Sequence, residues 1–195
     1  LEEGFVTISR HRGTLRLPAR FQLVAAMNPC PCGRLGTASA CRCTAADVRS
    51  YLSRLSEPLL DRIDLHVPVA ALDFDELTGP PAETTNTVRR RVLAARERLR
   101  RGATGAVANA LLSPTALRKV AQPDAAGQRL LRLAVERKGL TARGFDRLLR
   151  VARTIADLDG REVVSAGDLA EALQFRASPA ASDGDLDSKI LEQEH

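Results

Sequence analysis

Residues 21–29 have the sequence Phe-Gln-Leu-Val-Ala-Ala-Met-Asn-Pro, in which a nearly continuous apolar run ends abruptly. Such a run is typical of a strand buried on both faces of a parallel sheet, and Pro29 cannot continue its ladder of hydrogen bonds. Asn28 therefore falls at the carboxyl end of a predicted buried strand, where open α/β sheets bind ligands. Its amide could orient a water molecule towards a phosphate, or it could simply cap the strand before Pro29.

The segments on either side of this run predict further β-structure. Residues 5–9 and 14–17 alternate apolar and polar side chains, which indicates a β-hairpin. The tip of this hairpin is basic and contains Arg10, His11 and Arg12. Thr44 is placed to cap a helix that has Asp47 in its first turn and runs to about Leu55. Residues 63–69 predict a last strand, interrupted near its end by a proline. We therefore expect residues 1–72 to form the C-terminal portion of an α/β core.

The composition changes after residue 72. Residues 73–86 are rich in Pro, Gly, Thr and acidic residues and predict a linker. Beyond it, apolar side chains recur at helical spacing, and Ser113 and Ser165 are typical residues for helix starts. Residues 87–177 thus predict a helical domain, and residues 178–195, which lack periodicity, predict a disordered tail. The predicted fold class is α/β followed by all-α.

Bulk composition restricts the class of protein. The chain has 195 residues, of which 44% are hydrophobic, and no apolar stretch approaches the roughly 18 residues of a membrane span. We therefore expect a cytoplasmic protein without membrane contact. The net charge of +5 comes almost entirely from arginine, and aromatic residues make up only 3%. Because so few rings are available for base stacking, we expect any nucleic-acid contact to be with the phosphate backbone.

Two arginines occupy positions that suit phosphate chemistry. Arg62 lies between Asp61 and Asp64, so it is either a partner in a local salt bridge or an arginine finger offered to a neighbouring subunit's nucleotide. Arg143 follows the predicted helix cap Thr141 and falls in the first turn, where the helix dipole disfavours a cation. That position fits either a phosphate site at the helix N-terminus or a solvated side chain.

Four cysteines form two Cys-x-Cys pairs separated by eight residues: Cys30 and Cys32, then Cys41 and Cys43. In a reducing compartment, four clustered cysteines predict a tetrahedral zinc site made of thiolates. Zinc-binding pairs more often enclose two to four residues, so reduced structural cysteines stay an alternative. A disulfide is the least favoured interpretation.

Four blocks of the sequence are recognisable together, in this order: VTISR at 6–10, VAAMNPCPCG at 24–33, PLLDRIDLHV at 58–67 and VARTIADL at 151–158. In their length and order they resemble the C-terminal part of the ComM/YifB family of magnesium-chelatase-like AAA+ ATPases. The resemblance extends over about residues 1–176. It is more specific than any single motif in the chain.

The resemblance implies a role for each candidate residue. Asn28 would be the sensor 1 residue, Arg62 the arginine finger acting in trans, and Arg143 the sensor 2 arginine. The hairpin would be the pre-sensor 1 hairpin, which projects into the central channel of hexameric relatives, and residues 87–176 would form the helical lid. The resemblance implies a homo-hexameric ring that uses ATP and Mg²⁺ to move along DNA. The ComM type is understood to promote branch migration during uptake of transforming DNA.

The chain also departs from the family pattern. It contains neither a Gly-rich phosphate loop with Lys-Ser/Thr nor an apolar run ending in Asp-Glu. The phosphates and Mg²⁺ would lack their primary ligands, so we expect no ATP hydrolysis by this chain alone. Glu57 stands where the family more often has Gly, and Thr141 where Ser is usual. The chain starts at Leu1 without an initiator Met, and we expect it to belong to a longer protein.

Two other functions fit the sequence. One is a non-enzymatic helical module with a cysteine-bound metal loop, in which the arginines at 89–91 and 96–101 contact nucleic-acid phosphates. The other is a chelatase-like partner that acts on a metal cofactor. A phosphate-loop motif encoded upstream of Leu1 would select the ATPase.

Overall fold

The structure, a computed structural model, describes residues 4–11, 13–37, 39–72, 74–80, 83–102, 105–138 and 140–176. These residues fall into two compact units, one ending at Arg62 and the other beginning at Ile63. Arg12, the predicted tail at 178–195 and three residues of the predicted linker lie outside the described residues. The domain limits predicted from the sequence stay predictions.

The first unit opens with the predicted β-hairpin, which the structure confirms. Strands β1 (Phe5–Arg10) and β2 (Gly13–Pro18) pair in antiparallel register. Two cross-strand pairs place apolar side chains on one face, namely Val6 with Leu17 and Ile8 with Leu15. All four are between 41% and 57% exposed, so this hairpin depends on its own cross-strand pairs rather than on burial.

The two other predicted strands are wrong. Residues 21–28 and 63–69 form no ladder, and the hairpin is the only sheet among the described residues. The run expected to be buried on both faces is instead exposed, by 62% at Phe21 and 83% at Val24. A strand persists in a parallel sheet only when neighbouring strands satisfy its backbone N–H and C=O groups. The described residues supply no such neighbours, so the sensor strand and the last strand of the predicted AAA+ core are missing here.

Two helices complete the first unit: α1 (Ala45–Leu52) and α2 (Glu57–Leu60). The predicted start of α1 is confirmed, because Thr44 and Asp47 form a capping box. The Thr44 backbone N–H donates to the Asp47 carboxylate at 2.9 Å, and the Asp47 N–H donates to the Thr44 hydroxyl at 3.2 Å. This local exchange fixes where the helix begins, directly after the last cysteine.

The second unit is helical, as predicted. Its helices are α3 (Phe74–Thr78), α4 (Thr85–Arg101), α5 (Pro114–Val120), α6 (Ala125–Lys138), α7 (Ala142–Leu158) and α8 (Ala166–Gln174), with a short 3₁₀ turn at Asn109–Leu111. Ser113, Thr141 and Ser165 are the N-caps of α5, α7 and α8, and each accepts a backbone N–H through its side chain. Within the described part of the chain, no helix combines the length and the apolarity that crossing a bilayer requires.

Helix α7 forms the centre of the second unit's core. Leu148, Ala152 and Ala156 are fully buried along one face, at the helical spacing that the sequence predicts. They pack with apolar residues of α5, α6 and α8, including Leu117, Leu131, Leu169 and Ala172. The core therefore fixes α7 as a rigid element, and this sets the position of its N-terminus.

A network of hydrogen bonds and an ion pair lies at the C-terminal end of α7. Arg153 is 4% exposed, and its guanidinium donates to the backbone carbonyls of Arg161 and Glu162. It also pairs with Asp157 at 2.8 Å, and Asp157 accepts a hydrogen bond from Asn109 at the same distance. Because a buried cation needs such compensation, the network holds the loop after α7 against the helix.

Candidate functional site

The four cysteines form one cluster, as the sequence predicts. All four Sγ atoms lie within 4.8 Å of one another. The Sγ atom of Cys30 is 3.4 Å from that of Cys32 and 3.7 Å from that of Cys41, and the Cys32 and Cys41 sulfurs are 3.6 Å apart. All four cysteines are free, and no disulfide joins them in the structure.

These distances suit a tetrahedral metal ion. With Zn–S bonds of about 2.3 Å, the sulfurs of a tetrahedral site lie about 3.8 Å apart. A backbone N–H group also points at a sulfur, since that of Leu35 donates to Cys30 at 3.4 Å. Hydrogen bonds of this kind stabilise negative charge on a ligand sulfur. The four residues together therefore fit a closed thiolate site, with no position left for a catalytic water.

Hydrogen bonds and neighbouring sulfurs shift the pKa values of thiols in the cluster. The Arg42 and Arg34 N–H groups lower the pKa of the Cys32 thiol to about 6. At Cys43, the N–H of Cys32 favours the thiolate, but desolvation and the neighbouring sulfurs outweigh it and raise the pKa to about 12. Four thiolates within 4.8 Å of one another repel, so without a cation some of the thiols stay protonated, whereas a metal ion among the sulfurs would favour their thiolate forms.

Helix α1 packs against the segment from Cys30 to Cys43, which we call the cysteine loop. Cys30 and Val48 are fully buried and pack with Leu35 and Leu52, which are 8% and 7% exposed. This small apolar group is the only buried core of the first unit among the described residues. The cysteine loop and α1 thus form one local structure.

Asn28 lies next to this cluster, but not on the predicted strand. It is exposed, and its Nδ2 atom is 3.5 Å from the point where a Cβ atom on Gly33 would stand. Gly33 has φ +75°, a left-handed conformation that favours glycine. The Asn28 amide is therefore accessible to a ligand and lies beside Gly33 of the loop that holds the cysteines.

Arg62 is exposed at the end of α2. Its Nη1 donates to the Pro58 carbonyl oxygen at 2.8 Å. Of the two acids beside it in the sequence, Asp64 pairs instead with Arg147, whose Nε lies 3.4 Å from the Asp64 Oδ1. The local salt bridge that the sequence allowed between Arg62 and Asp64 is thus not formed, and most of the Arg62 guanidinium faces solvent.

Arg143 lies in the first turn of α7, as predicted. The Gly144 N–H donates to the Thr141 hydroxyl at 3.0 Å, and Arg143 itself is exposed. It forms no ion pair with any residue in the described ranges. A second arginine comes close to this helix end, because Arg176 Nη2 is 3.5 Å from the Cβ position of Gly144. The positive helix end and two cations form a place where an anion would be stabilised.

Sequence reasoning missed Arg147 and Arg176. Arg147 is only 4% exposed although it belongs to the most basic residue type, and its partner Asp64 is remote in the sequence. Its position one turn after Arg143, beside Leu148 on the apolar face, was a usable signal of burial. Nothing in the sequence pattern marks Arg176, which follows α8 and approaches α7 only through the fold.

The hairpin tip is accessible where it is described. Arg10 and His11 are exposed, and Arg12 lies outside the described residues. The structure therefore brings the four cysteines together and sets Asn28 against their loop, whereas Arg143 belongs to the second unit.

Two family models match the chain one after the other. Residues 1–77 match "Magnesium chelatase, subunit ChlI", and residues 82–176 match "Magnesium chelatase, subunit ChlI C-terminal". The two matches cover both compact units.

Individual relatives agree with these matches. An uncharacterised protein of Mycobacterium tuberculosis is 43% identical over 182 residues, which is 92% of this chain and 36% of the relative. Competence protein ComM of Haemophilus influenzae and YifB of Escherichia coli are 40% and 39% identical over 179 residues, 91% of this chain and 35% of each relative. The chain thus spans about a third of the length of these proteins. It belongs to the magnesium-chelatase-like family that includes ComM and YifB.

Proposed function

We propose that this chain supplies the sensor residues, the arginine finger and the lid of a ring-forming ATPase that moves along DNA. The proposal rests on the exposure of three side chains that could contact a phosphate group. Asn28, Arg62 and Arg143 are all exposed, and neither arginine forms an ion pair with a described residue. Structural arginines of this chain behave differently, since Arg147 and Arg153 are buried and paired with carboxylates.

Each residue then has a definite task. Arg143, at the positive end of α7, would bind the nucleotide phosphates, and Asn28 would orient the attacking water. Arg62 would reach the nucleotide of a neighbouring subunit, where its planar charge stabilises the transition state. ATP and Mg²⁺ would supply the reacting phosphate and its charge neutralisation. Their primary ligands would come from the two thirds of the relatives' length that lie outside this chain.

DNA as the substrate rests on two features. One relative carries the name Competence protein ComM, and the hairpin offers Arg10 and His11 at its exposed tip. Such a tip would contact the phosphate backbone in the channel of a hexameric ring, independently of base sequence.

We also propose that the cysteine cluster binds one zinc ion with a structural role. Four sulfurs at the spacing of a tetrahedron leave no open coordination position, which is the pattern of structural zinc sites. The ion would remove the repulsion among the thiolates and hold the loop to α1.

A second candidate function is a helical nucleic-acid-binding module, and α4 is the feature that favours it. Arg91, Arg98 and Arg101 have partners within the second unit. Arg89, Arg90 and Arg96 are exposed and pair with no described carboxylate. These three side chains could contact phosphates without any nucleotide.

The experiment that tests the motor uses a chimera in which this chain replaces the matching third of the Haemophilus influenzae relative. We expect Arg62→Ala to leave ATP binding intact while hydrolysis falls by about 10²-fold or more, because the charge is needed mainly in the transition state. Mixing this variant with subunits that lack the Asp-Glu pair of the Walker B motif should restore part of the activity. At some interfaces an intact Asp-Glu pair of one subunit then meets an intact Arg62 of its neighbour.

The matched control is Arg89→Ala on α4, which should change neither binding nor hydrolysis. If the mixtures assemble but stay as inactive as either variant alone, Arg62 does not act in trans. DNA binding that is lost in Arg89→Ala and independent of ATP would favour the helical module instead.

A further inference from the structure

Asn28 is separated from the first cysteine of the cluster by Pro29 alone. The Cγ and Nδ2 atoms of Asn28 lie 3.6 and 3.5 Å from the Cβ position of Gly33, so the amide lies over the side of Gly33 on which a side chain would stand. Proline restricts the backbone between Asn28 and Cys30 further, since its ring fixes φ. The position of Asn28 therefore depends on where the cysteine loop holds Gly33.

The cysteine loop holds Gly33 through its sulfur atoms and backbone. The Gly33 N–H donates to the Cys30 carbonyl at 3.0 Å, which closes a tight turn. The Leu35 N–H, two residues further on, donates to the Cys30 sulfur at 3.4 Å. Gly33 thus ends a turn that contains two ligands of the proposed metal site, Cys30 and Cys32.

No other contact fixes the Asn28 amide among the described residues. It accepts and donates no hydrogen bond there, belongs to no strand and is exposed. An exposed amide without hydrogen bonds samples several rotamers unless its neighbours restrict it. The cysteine loop is the neighbour that the structure provides.

We propose that metal binding by the four cysteines positions the Asn28 side chain, so that the metal centre is a positioning element for the nucleotide-reading amide. The nucleotide role of Asn28 rests on the proposed function, whereas the link between metal and amide does not. With the metal, the turn at Gly33 is rigid and offers one surface to Asn28. Without it, no metal–sulfur bonds tie the turn to Cys41 and Cys43, so the turn can change its conformation and the amide loses that fixed surface.

The chain contains three asparagines, which allows an internal comparison. Asn86 lies in the first turn of α4, and Asn109 donates to the Thr154 hydroxyl at 3.0 Å within the second unit. In the ¹⁵N-labelled 195-residue chain, the Asn28→Asp variant identifies the side-chain NH₂ signals of Asn28. The same sample is then measured after loading with zinc and after removal of zinc by a chelator, with metal content determined by mass spectrometry.

We expect the zinc-loaded chain to give one sharp pair of Asn28 signals, which moves to the position of a free amide when zinc is removed. The signals of Asn86 and Asn109 should stay in place. Cys43→Ser should reproduce the loss although it lies far from Asn28 along the chain. Loading with Co²⁺ instead of zinc should give the visible absorption of tetrahedral thiolate coordination, and Cys43→Ser should change it.

The outcomes separate the proposals. Zinc uptake with unchanged Asn28 signals overturns the positioning role and leaves the metal site standing. A chain that takes up neither zinc nor Co²⁺ overturns both. Movement of the Asn109 signals together with those of Asn28 means that the metal supports the whole chain, which also overturns the specific link. An inactive chimera would count against the motor without affecting any of these signals.

Discussion

Replacing Arg62 by alanine separates a structural from a catalytic role for this arginine. In the structure its guanidinium is exposed and has one hydrogen bond, to the Pro58 carbonyl oxygen at 2.8 Å. Exposed side chains with so few contacts change the free energy of unfolding by less than about 0.5 kcal/mol when truncated. We therefore expect Arg62→Ala to fold as stably as the parent chain.

Asp64→Ala is the matched perturbation two residues away. Its carboxylate is 53% exposed, but it faces the Arg147 side chain, which is only 4% exposed. Breaking a fully buried ion pair costs about 3–5 kcal/mol. Because the Asp64 carboxylate is half in solvent, water screens part of the interaction, and we expect a loss of about 1–3 kcal/mol.

Urea unfolding followed by far-ultraviolet circular dichroism distinguishes these two results in the 195-residue chain. With a slope of about 1–3 kcal/mol per molar urea, Asp64→Ala should lower the transition midpoint of the helical unit by about 1 M. Arg62→Ala and Arg62→Lys should leave it unchanged. If Arg62→Ala lowers the midpoint as much as Asp64→Ala, and Arg62→Lys restores it, Arg62 is a structural residue and its trans-acting role loses its basis.

Three further predictions concern other parts of the chain. The 195-residue chain alone should show no ATP turnover in a phosphate-release assay, and turnover that Asn28→Ala abolishes would contradict this. Thr44→Ala should cost α1 about 1 kcal/mol. The Thr44 N–H and hydroxyl lower the pKa of Asp47 below its unfolded value, so this stabilisation is present at neutral pH and is lost as the pH falls through the folded pKa. Equal protection factors of the α1 amides at acid and neutral pH, each corrected for the intrinsic exchange rate, would refute it. In the chimera, Arg10→Ala should reduce the slope of log affinity for DNA against log salt by about one charge, whereas an unchanged slope would exclude a phosphate contact at the hairpin tip.

Local signals predict the elements that depend on local contacts. The hairpin, the capping box at Thr44 and the caps of α5, α7 and α8 all involve residues close together in the sequence, and all are confirmed. The apolar face of α7 is confirmed as well, because helical periodicity predicts which side chains face a core whatever that core contains. Residues 21–28 show the limit of this reasoning. Their composition is that of a buried strand, but a strand also needs partners from other parts of the sheet.

Residues of the candidate site also differ in whether their contacts are local in the sequence and therefore predictable. The cysteine cluster was predictable because its ligands lie within fourteen positions, from Cys30 to Cys43, and the structure brings their sulfurs within 4.8 Å despite the uncommon Cys-x-Cys spacing. The partner of Asp64 was not predictable, since Asp64 has a neighbouring arginine in the sequence and pairs instead with Arg147 on α7. Arg62 and Arg147 offer the same guanidinium group, and only the folded structure shows which of them pairs with Asp64.

The proposed metal site coincides with the apolar cluster that the first unit buries among its described residues. Its described residues bury only Cys30, Leu35, Val48 and Leu52, while Val24 and other members of the apolar run stay exposed. Zinc–thiolate bonds would add to these apolar contacts and tie both Cys-x-Cys pairs to the same cluster. A zinc ion would bind beside these buried residues, between Cys30 and the start of α1. The residues that it orders would then include Asn28, which hydrophobic contacts alone leave without a fixed position.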